Sequence, residues 1–227
     1  MEEGSVSDVE LCDLAYKGQL QELKARIQAD RSLVARTDQD NRTALHWACS
    51  AGHTDIVDYL LHLGAPVDSK DDADWTPLHI AASAGRDAIV KALIGKGAQV
   101  NSVNQNGCTP LHYAASKNRH EIALLLLSNG ANPDATDHLE AAPLHRAAAK
   151  GNLRMIQLLL KHKASTNIQD TEGNTPLHLA CDEERIEEAK VLVEHGASIY
   201  VQNKEEKTPL QVAKGGLGAL LKRMMEG

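Results

Sequence analysis

The chain is 227 residues long and 42% hydrophobic, with a net charge of −7, no Phe and two Trp. Ala and Leu supply most of its apolar material, which favours close-packed helices over a broad sheet, and the acidic balance argues against wrapping nucleic acid, which needs a basic stripe. Four scattered cysteines (Cys12, Cys49, Cys108 and Cys181) form no CxxC pair, which fits reduced thiols in a cytoplasmic or nuclear protein. The acidic start Met1-Glu2-Glu3 is unlike a secretory leader. The longest apolar run, Ile122 to Leu127, is too short to span a bilayer, so no membrane contact is expected.

The first segment reads as a degenerate helix pair. Leu11, Leu14-Ala15 and Gly18 align with Leu45, Ala48-Cys49 and Gly52 of the next segment, with one extra residue near Ala29 to Leu33. A terminal unit has one face in water, so such departures are expected there. From the second segment on, one tetrapeptide returns every 33 residues: Thr43-Ala44-Leu45-His46, Thr76-Pro77-Leu78-His79, Thr109-Pro110-Leu111-His112, Ala142-Pro143-Leu144-His145, Thr175-Pro176-Leu177-His178 and Thr208-Pro209-Leu210-Gln211.

Each part of the unit has a physical job. Thr caps the inner helix, worth about 1 kcal/mol, and Pro takes the first helical position, where no amide hydrogen is needed. The outer helix follows with apolar pairs one turn apart, as in Ile56-Val57 with Leu60-Leu61, Ile89-Val90 with Leu93-Ile94 and Met155-Ile156 with Leu159-Leu160. Gly64, Gly97, Gly130 and Gly196 end it at one phase, as a left-handed cap requires, and Lys163 departs from that pattern. The last inner helix is expected to stop at Lys214-Gly215-Gly216-Leu217.

A 33-residue period carrying Thr-Pro-Leu-His is the ankyrin signature. The expected fold is an all-α repeat protein, an ankyrin-repeat solenoid of seven helix-turn-helix units with hairpin tips and capping end repeats. The whole chain, 1–227, reads as a single domain with repeats at about 5–37, 38–70, 71–103, 104–136, 137–169, 170–202 and 203–227.

Several residues invite a chemical reading. His46, His79, His112, His145 and His178 recur at the repeat phase. They could form a metal array, but zinc needs ligands converging about 2 Å from one ion, and stacking holds these rings a layer apart. They are expected to bond neighbouring backbone and tie repeats together. Cys49 and Cys181 occupy a phase filled by Ala82, Ala115 and Ala148 elsewhere and behave as small apolar residues. Lys214-Gly215-Gly216-Leu217-Gly218 has neither the order nor the spacing of a phosphate loop. With no nucleophile–base set outside the repeat logic, no enzyme activity, cofactor or metal is expected.

Binding is expected where packing leaves residues free to vary, on the hairpin tips and the exposed ends of the inner helices that line the concave groove. Asp38, Asp40, Arg42, Asp71, Asp72, Asp74 and Trp75 stand at the first tips, Lys117 and Lys150 in the middle, and Asp182 and Glu183 toward the end. The groove thus reads acidic, basic, acidic, suited to a partner of complementary charge. Trp75 is a large aromatic at a tip, where it either anchors a partner or packs on the neighbouring hairpin. Leu179, Cys181 and Glu183 spell LxCxE, the short pattern read by the retinoblastoma pocket. The repeat phase places Leu179 and Cys181 on an inner helix facing the core, so extended docking would require local unfolding.

Stretches outside the generic repeat consensus, namely Arg36-Thr37-Asp38-Gln39-Asp40, Ser116-Lys117-Asn118-Arg119-His120 and Asn203-Lys204-Glu205-Glu206-Lys207-Thr208, carry a more specific likeness. Nearly end to end, the chain resembles the gankyrin family of seven-repeat proteasome factors. The resemblance implies a non-enzymatic, monomeric chaperone of regulatory-particle assembly in cytoplasm and nucleus. Such a chaperone cradles the C-terminal domain of a base ATPase on its concave face. The family's charged contacts would fall on Asp40, Arg42, Asp72, Trp75 and Lys117. The resemblance also implies links to a cyclin-dependent kinase, the retinoblastoma protein and a ubiquitin ligase acting on a tumour suppressor. The alternative reading is an ankyrin-type regulator of cyclin-dependent kinases, which have fewer repeats.

Overall fold

The computed structural model describes residues 3–227; Met1 and Glu2 of the acidic start lie outside them. The chain folds as two compact units, Met1–Gln105 and Asn106–Gly227. Among the described residues of the first unit are α1 (Glu3–Lys17), α2 (Leu20–Ala29), a 3-10 turn (Arg31–Ala35), α3 (Ala44–Ala51), α4 (Thr54–His62), α5 (Pro77–Ala84) and α6 (Asp87–Gly95). The second holds α7 (Pro110–Ser116), α8 (His120–Ser128), α9 (Pro143–Lys150), α10 (Leu153–Lys161), α11 (Pro176–Asp182), α12 (Ile186–Glu194), α13 (Pro209–Val212) and α14 (Leu217–Glu226). Bridging is limited to one isolated antiparallel pair among these residues, Thr37 with Thr43. Among the described residues no helix is long and apolar enough to cross a membrane.

Within each unit the helix pairs pack inner on inner and outer on outer, α3 against α5 and α4 against α6 in the first, α9 between α7 and α11 in the second. The periodic apolar positions supply the core: Leu45, Ile56, Leu60, Leu78, Ile89 and Leu93 are fully buried in the first unit, Leu111, Ile122, Leu126, Leu144 and Met155 in the second. Each such side chain contributes roughly 1.5–3 kcal/mol through burial. Thr43, Thr76, Thr175 and Thr208 each accept a hydrogen bond from the third amide of their helix, the capping read from the tetrapeptide. The extra residue near Ala29 to Leu33 is absorbed by the 3-10 turn, where the Asp30 side chain accepts from the Ser32 amide. Helix α13 stops at Val212, two residues before the expected Lys214.

The hairpin tips are built on one recurring device. Asp38 and Asp71 each accept from the backbone amides two and four residues on, at 2.9–3.0 Å. Asp137, Asp170 and Asn203 do the same in the second unit. A side-chain acceptor here lets the tip turn back with no partner strand. The turn then needs a left-handed residue, and Asn41, Asp74, Gly107, Glu140, Gly173 and Glu206 all have positive φ at that phase. Lys163, with φ of 64°, keeps the left-handed cap that glycine makes elsewhere, so the departure is one of residue type and not of backbone.

Two side-chain ladders tie successive pairs together. In the first, the Thr43 amide donates to Nδ1 of His46 at 3.1 Å, and Nε2–H donates to the Trp75 carbonyl of the next repeat at 3.0 Å. In the second unit His112, His145 and His178 reach the carbonyls of Ala141, Asn174 and Lys207 at 2.9 Å. The expected role of the histidines is thus what the geometry shows. The last repeat carries Gln211, whose side-chain oxygen accepts the Thr208 amide at 2.8 Å, so it performs the intra-repeat half of the same task. The other ladder runs at the opposite end of the pairs: Arg86 donates to the Ser50 carbonyl, and Asn152 to that of Ala115, both at 2.9 Å.

Candidate protein-binding site

In the first unit the tip residues separate into two groups. Asp38 and Asp71, expected to present charge to a partner, are instead occupied by the fold. Besides the turn amides, Asp38 accepts from the Trp47 indole at 2.8 Å, and Asp71, whose side chain is only 4% exposed, accepts from Nε of Arg42 at 3.1 Å. Asp40 and Asp72 are exposed and adjacent: the Asp72 amide donates to the Asp40 carbonyl at 3.0 Å, and the Asp72 carboxylate accepts from Asn41 at 2.9 Å. Neither is in an ion pair among the described residues. Arg42 is half-buried, held by Asp71 and lying 4.9 Å over the Trp47 ring.

Trp75 is half-buried; its ring tilts against His79 with centroids 5.9 Å apart. It packs and also lines a shallow groove with Arg42, Ser50, Ile80 and Ser83. Sequence reasoning passed over Trp47, which forms a cluster with Tyr16, the two rings meeting edge to face at 5.7 Å.

In the second unit Lys117 caps α7 and Lys150 ends α9; both are exposed and make no ion pair or side-chain hydrogen bond among the described residues. Between the tips of the fourth and fifth repeats lies a cleft of about 480 Å³ lined by Cys108, Tyr113, Asp137, His138, Leu139 and Arg146. Arg146 bonds the buried carboxylate of Asp137. Burial alone would raise the pKa of Asp137; the bonds from Arg146 and from the Ala141 and Leu139 amides outweigh it and hold the carboxyl below its usual range.

Of the LxCxE residues, Cys181 is fully buried and its thiol is pushed up to about 12 by desolvation, while Glu183 is exposed. Leu179 is half-buried and does not face the core as expected: it lines a polar cleft with Asp182, Asn203, Lys207 and Lys214. It stands nine residues after the turn-forming Asp170, a phase where the inner helix turns toward the tips. With Cys181 sealed in helix α11, extended docking of this motif requires the helix to open.

The histidine ladder has no spare ligand. Nδ1 already accepts a backbone amide and Nε2–H is a donor, which fixes each ring as a neutral tautomer with no lone pair directed outward. Among the described residues no three of His, Cys, Asp or Glu converge as a metal cage would. Cys49 is fully buried, and desolvation raises its thiol far above the nucleophilic range.

Residues 63–137 and 140–221 match the family model for ankyrin repeats in three copies, and residues 40–72 that for a single ankyrin repeat. Over 73 residues the chain is 77% identical to the human 26S proteasome non-ATPase regulatory subunit 10 and 75% identical to that of mouse. This is the subunit name of the gankyrin family. The match spans 32% of this chain and 32% of the length of each of these relatives. Among solved structures, the ankyrin repeat domain of Bcl-3, a member of the IkappaB protein family, superposes with a TM-score of 0.84 at 28% identity, covering 94% of this chain and 97% of that one. The 33-residue register, the capped helix pairs and these matches together make the chain an all-α ankyrin-repeat solenoid, a member of the ankyrin-repeat family.

Proposed function

We propose that the protein is a non-enzymatic scaffold of the proteasome system that holds a folded partner against its hairpin tips and inner-helix ends, in cytoplasm and nucleus. The partner is the C-terminal domain of a regulatory-particle ATPase, and the role is that of an assembly chaperone. The observation that carries this reading is the division of labour among the tip charges. Asp38, Asp71 and Asp137 are consumed by the fold, whereas Asp40, Lys117 and Lys150 are exposed with no side-chain partner among the described residues. Charges without an internal task on a tip face are suited to recognition. The similarity to proteasome subunit 10 supports the choice of a proteasomal partner. Binding of a cyclin-dependent kinase, the retinoblastoma protein or a ubiquitin ligase is secondary in this reading.

The test is binding of the purified chain to the C-terminal domain of the homologous ATPase. Asp40→Lys with Lys117→Glu, neither of which breaks a side-chain bond among the described residues, is expected to weaken it by about 10- to 100-fold, since removing charged contacts at interfaces costs a few kcal/mol. Lys150→Glu, which disturbs no internal bond, is expected to weaken it less and in the same direction. Affinity should fall with added salt. Binding untouched by the double reversal and by salt would sink the reading.

A further inference from the structure

The first repeat ought to present a polar outer face, as capping repeats do, yet it leaves Val9 48% and Tyr16 52% exposed on α1. These two side chains are not scattered. With Cys12, Asp13, Asp38, Gln39 and Trp47 they line a single notch of about 180 Å³ between α1 and the tip of the second repeat. The floor is rigid. The Trp47 indole is bonded to Asp38 at 2.8 Å, covered on one side by Arg42 at 4.9 Å, and met edge-on by Tyr16 at 5.7 Å. Three contacts on one ring leave it little freedom to lose on binding, so the notch is preformed. Small-molecule pockets run to about 300–1,000 Å³; this one has room for a single large side chain.

The rim selects the neighbourhood of that side chain. Gln39 leads directly into Asp40, which is exposed with no side-chain partner among the described residues; the Asp72 carboxylate beside it is met, among those residues, only by the neutral Asn41 amide, and Asp13 is offset by Lys17 at 2.7 Å. We propose that the notch is the apolar anchor point of a basic protein segment, seating one Leu, Met or aromatic side chain on Trp47 while flanking Lys or Arg residues meet Asp40 and Asp72. The proposal rests on the reading of the tip face as a partner-binding surface and adds an apolar contact to what is otherwise a charged one. An apolar core with a polar rim is the usual anatomy of a protein interface.

The probes are three short peptides: four lysines flanking a leucine, the same with alanine in place of leucine, and the leucine peptide with glutamates for lysines. The readout is the pair of indole N–H signals in the NMR spectrum of the nitrogen-15-labelled full chain, whose two tryptophans are told apart with Trp75→Phe. The Lys-Leu peptide is expected to shift the Trp47 signal, with the alanine peptide about tenfold weaker through loss of the buried side chain and the glutamate peptide silent. Val9→Ser, which removes the apolar contact without adding charge, is expected to weaken the Lys-Leu peptide about tenfold with an unchanged urea midpoint, and Tyr16→Ser provides a second variant should Val9→Ser be unstable. Equal response to the leucine and alanine peptides would overturn the proposal, as would a response indifferent to both variants. A Trp47 signal that moves with protein concentration alone would assign the notch to a second copy of this chain instead. Because no ATPase domain is present, failure here leaves the charge-reversal test above standing, and the reverse holds equally.

Discussion

Gly173→Ala is expected to destabilise the second unit by about 3 kcal/mol. Gly173 sits in the left-handed region at φ of 76°, where any other residue costs roughly 1–2 kcal/mol. A Cβ there would also lie 2.9 Å from the Lys204 amide nitrogen and 3.0 Å from the Asn203 Cα of the next hairpin. Those are backbone atoms that cannot swing aside, and overpacking of this kind adds a further 1–3 kcal/mol or so. Gly196 is the internal control. Its φ is also positive, at 93°, but a Cβ would meet nothing within 4 Å. Urea titration of both variants separates the terms: Gly196→Ala should lose only the backbone part. Equal losses would mean that the tips are not in the close contact described.

The second large effect is expected at the histidine ladder. His145→Ala removes the acceptor for the Ala142 amide, which is 1% exposed, and the donor to the Asn174 carbonyl. One buried unsatisfied amide costs about 1–3 kcal/mol and a lost hydrogen bond about 1 more, so a loss of roughly 3 kcal/mol is expected. His145→Gln should lose only about 1–2 kcal/mol, because Gln211 shows that glutamine can accept the cap amide at 2.8 Å without reaching the next repeat. If the two variants lose the same amount, the intra-repeat half of the staple contributes nothing.

The same rings make the stability of the fold depend on pH on the acid side. Burial lowers the pKa of His46, His112, His145 and His178 from 6.5, against the opposing pull of the carbonyl each one bonds. Asp71 lies near His46, Asp137 near His112, and both Asp137 and Asp170 near His145, each favouring protonation; Arg42 and Arg146 oppose it. The unfolded chain therefore binds more protons than the folded one below pH 6.5. Stability is full above that value and declines as pH falls through it, by up to about 1.4 kcal/mol per pH unit for each ring. His145→Gln should flatten that slope by one ring's share. The low pKa of Asp137 acts at more acid pH, its contribution being present above its ordinary pKa of 3.8 and lost below.

The fold was legible because covalent periodicity writes it directly: a residue needed by every repeat returns every 33 positions, and a single misplaced copy would break the register. The candidate site was legible only in part, and the reason lies in the same rule applied incompletely. Asp38, Asp71, Asp137, Asp170 and Asn203 recur at one phase. That recurrence was the available signal that they serve the turn and not a partner. Trp47, Tyr113, Arg146, Leu179 and Val212 share another phase, filled in the third repeat by the buried Ile80, and differ widely in residue type, which is the mark of a position not held to one packing role. Reading that phase would have singled out Trp47 and turned Leu179 away from the core. Where Arg42 spends its charge was not legible, because its partner Asp71 lies 29 residues away and is fixed only by stacking.

The central claim is that the hairpin tips and inner-helix ends hold a protein partner. Hydrogen–deuterium exchange of the full chain, free and bound to the ATPase C-terminal domain, tests it most directly. Slowed exchange is expected at the tips around 38–42 and 71–75 and at the helix ends near Lys117 and Lys150, with α4, α6, α8 and α10 unchanged. Slowed exchange confined to those outer helices would place the partner on the other face and contradict the account.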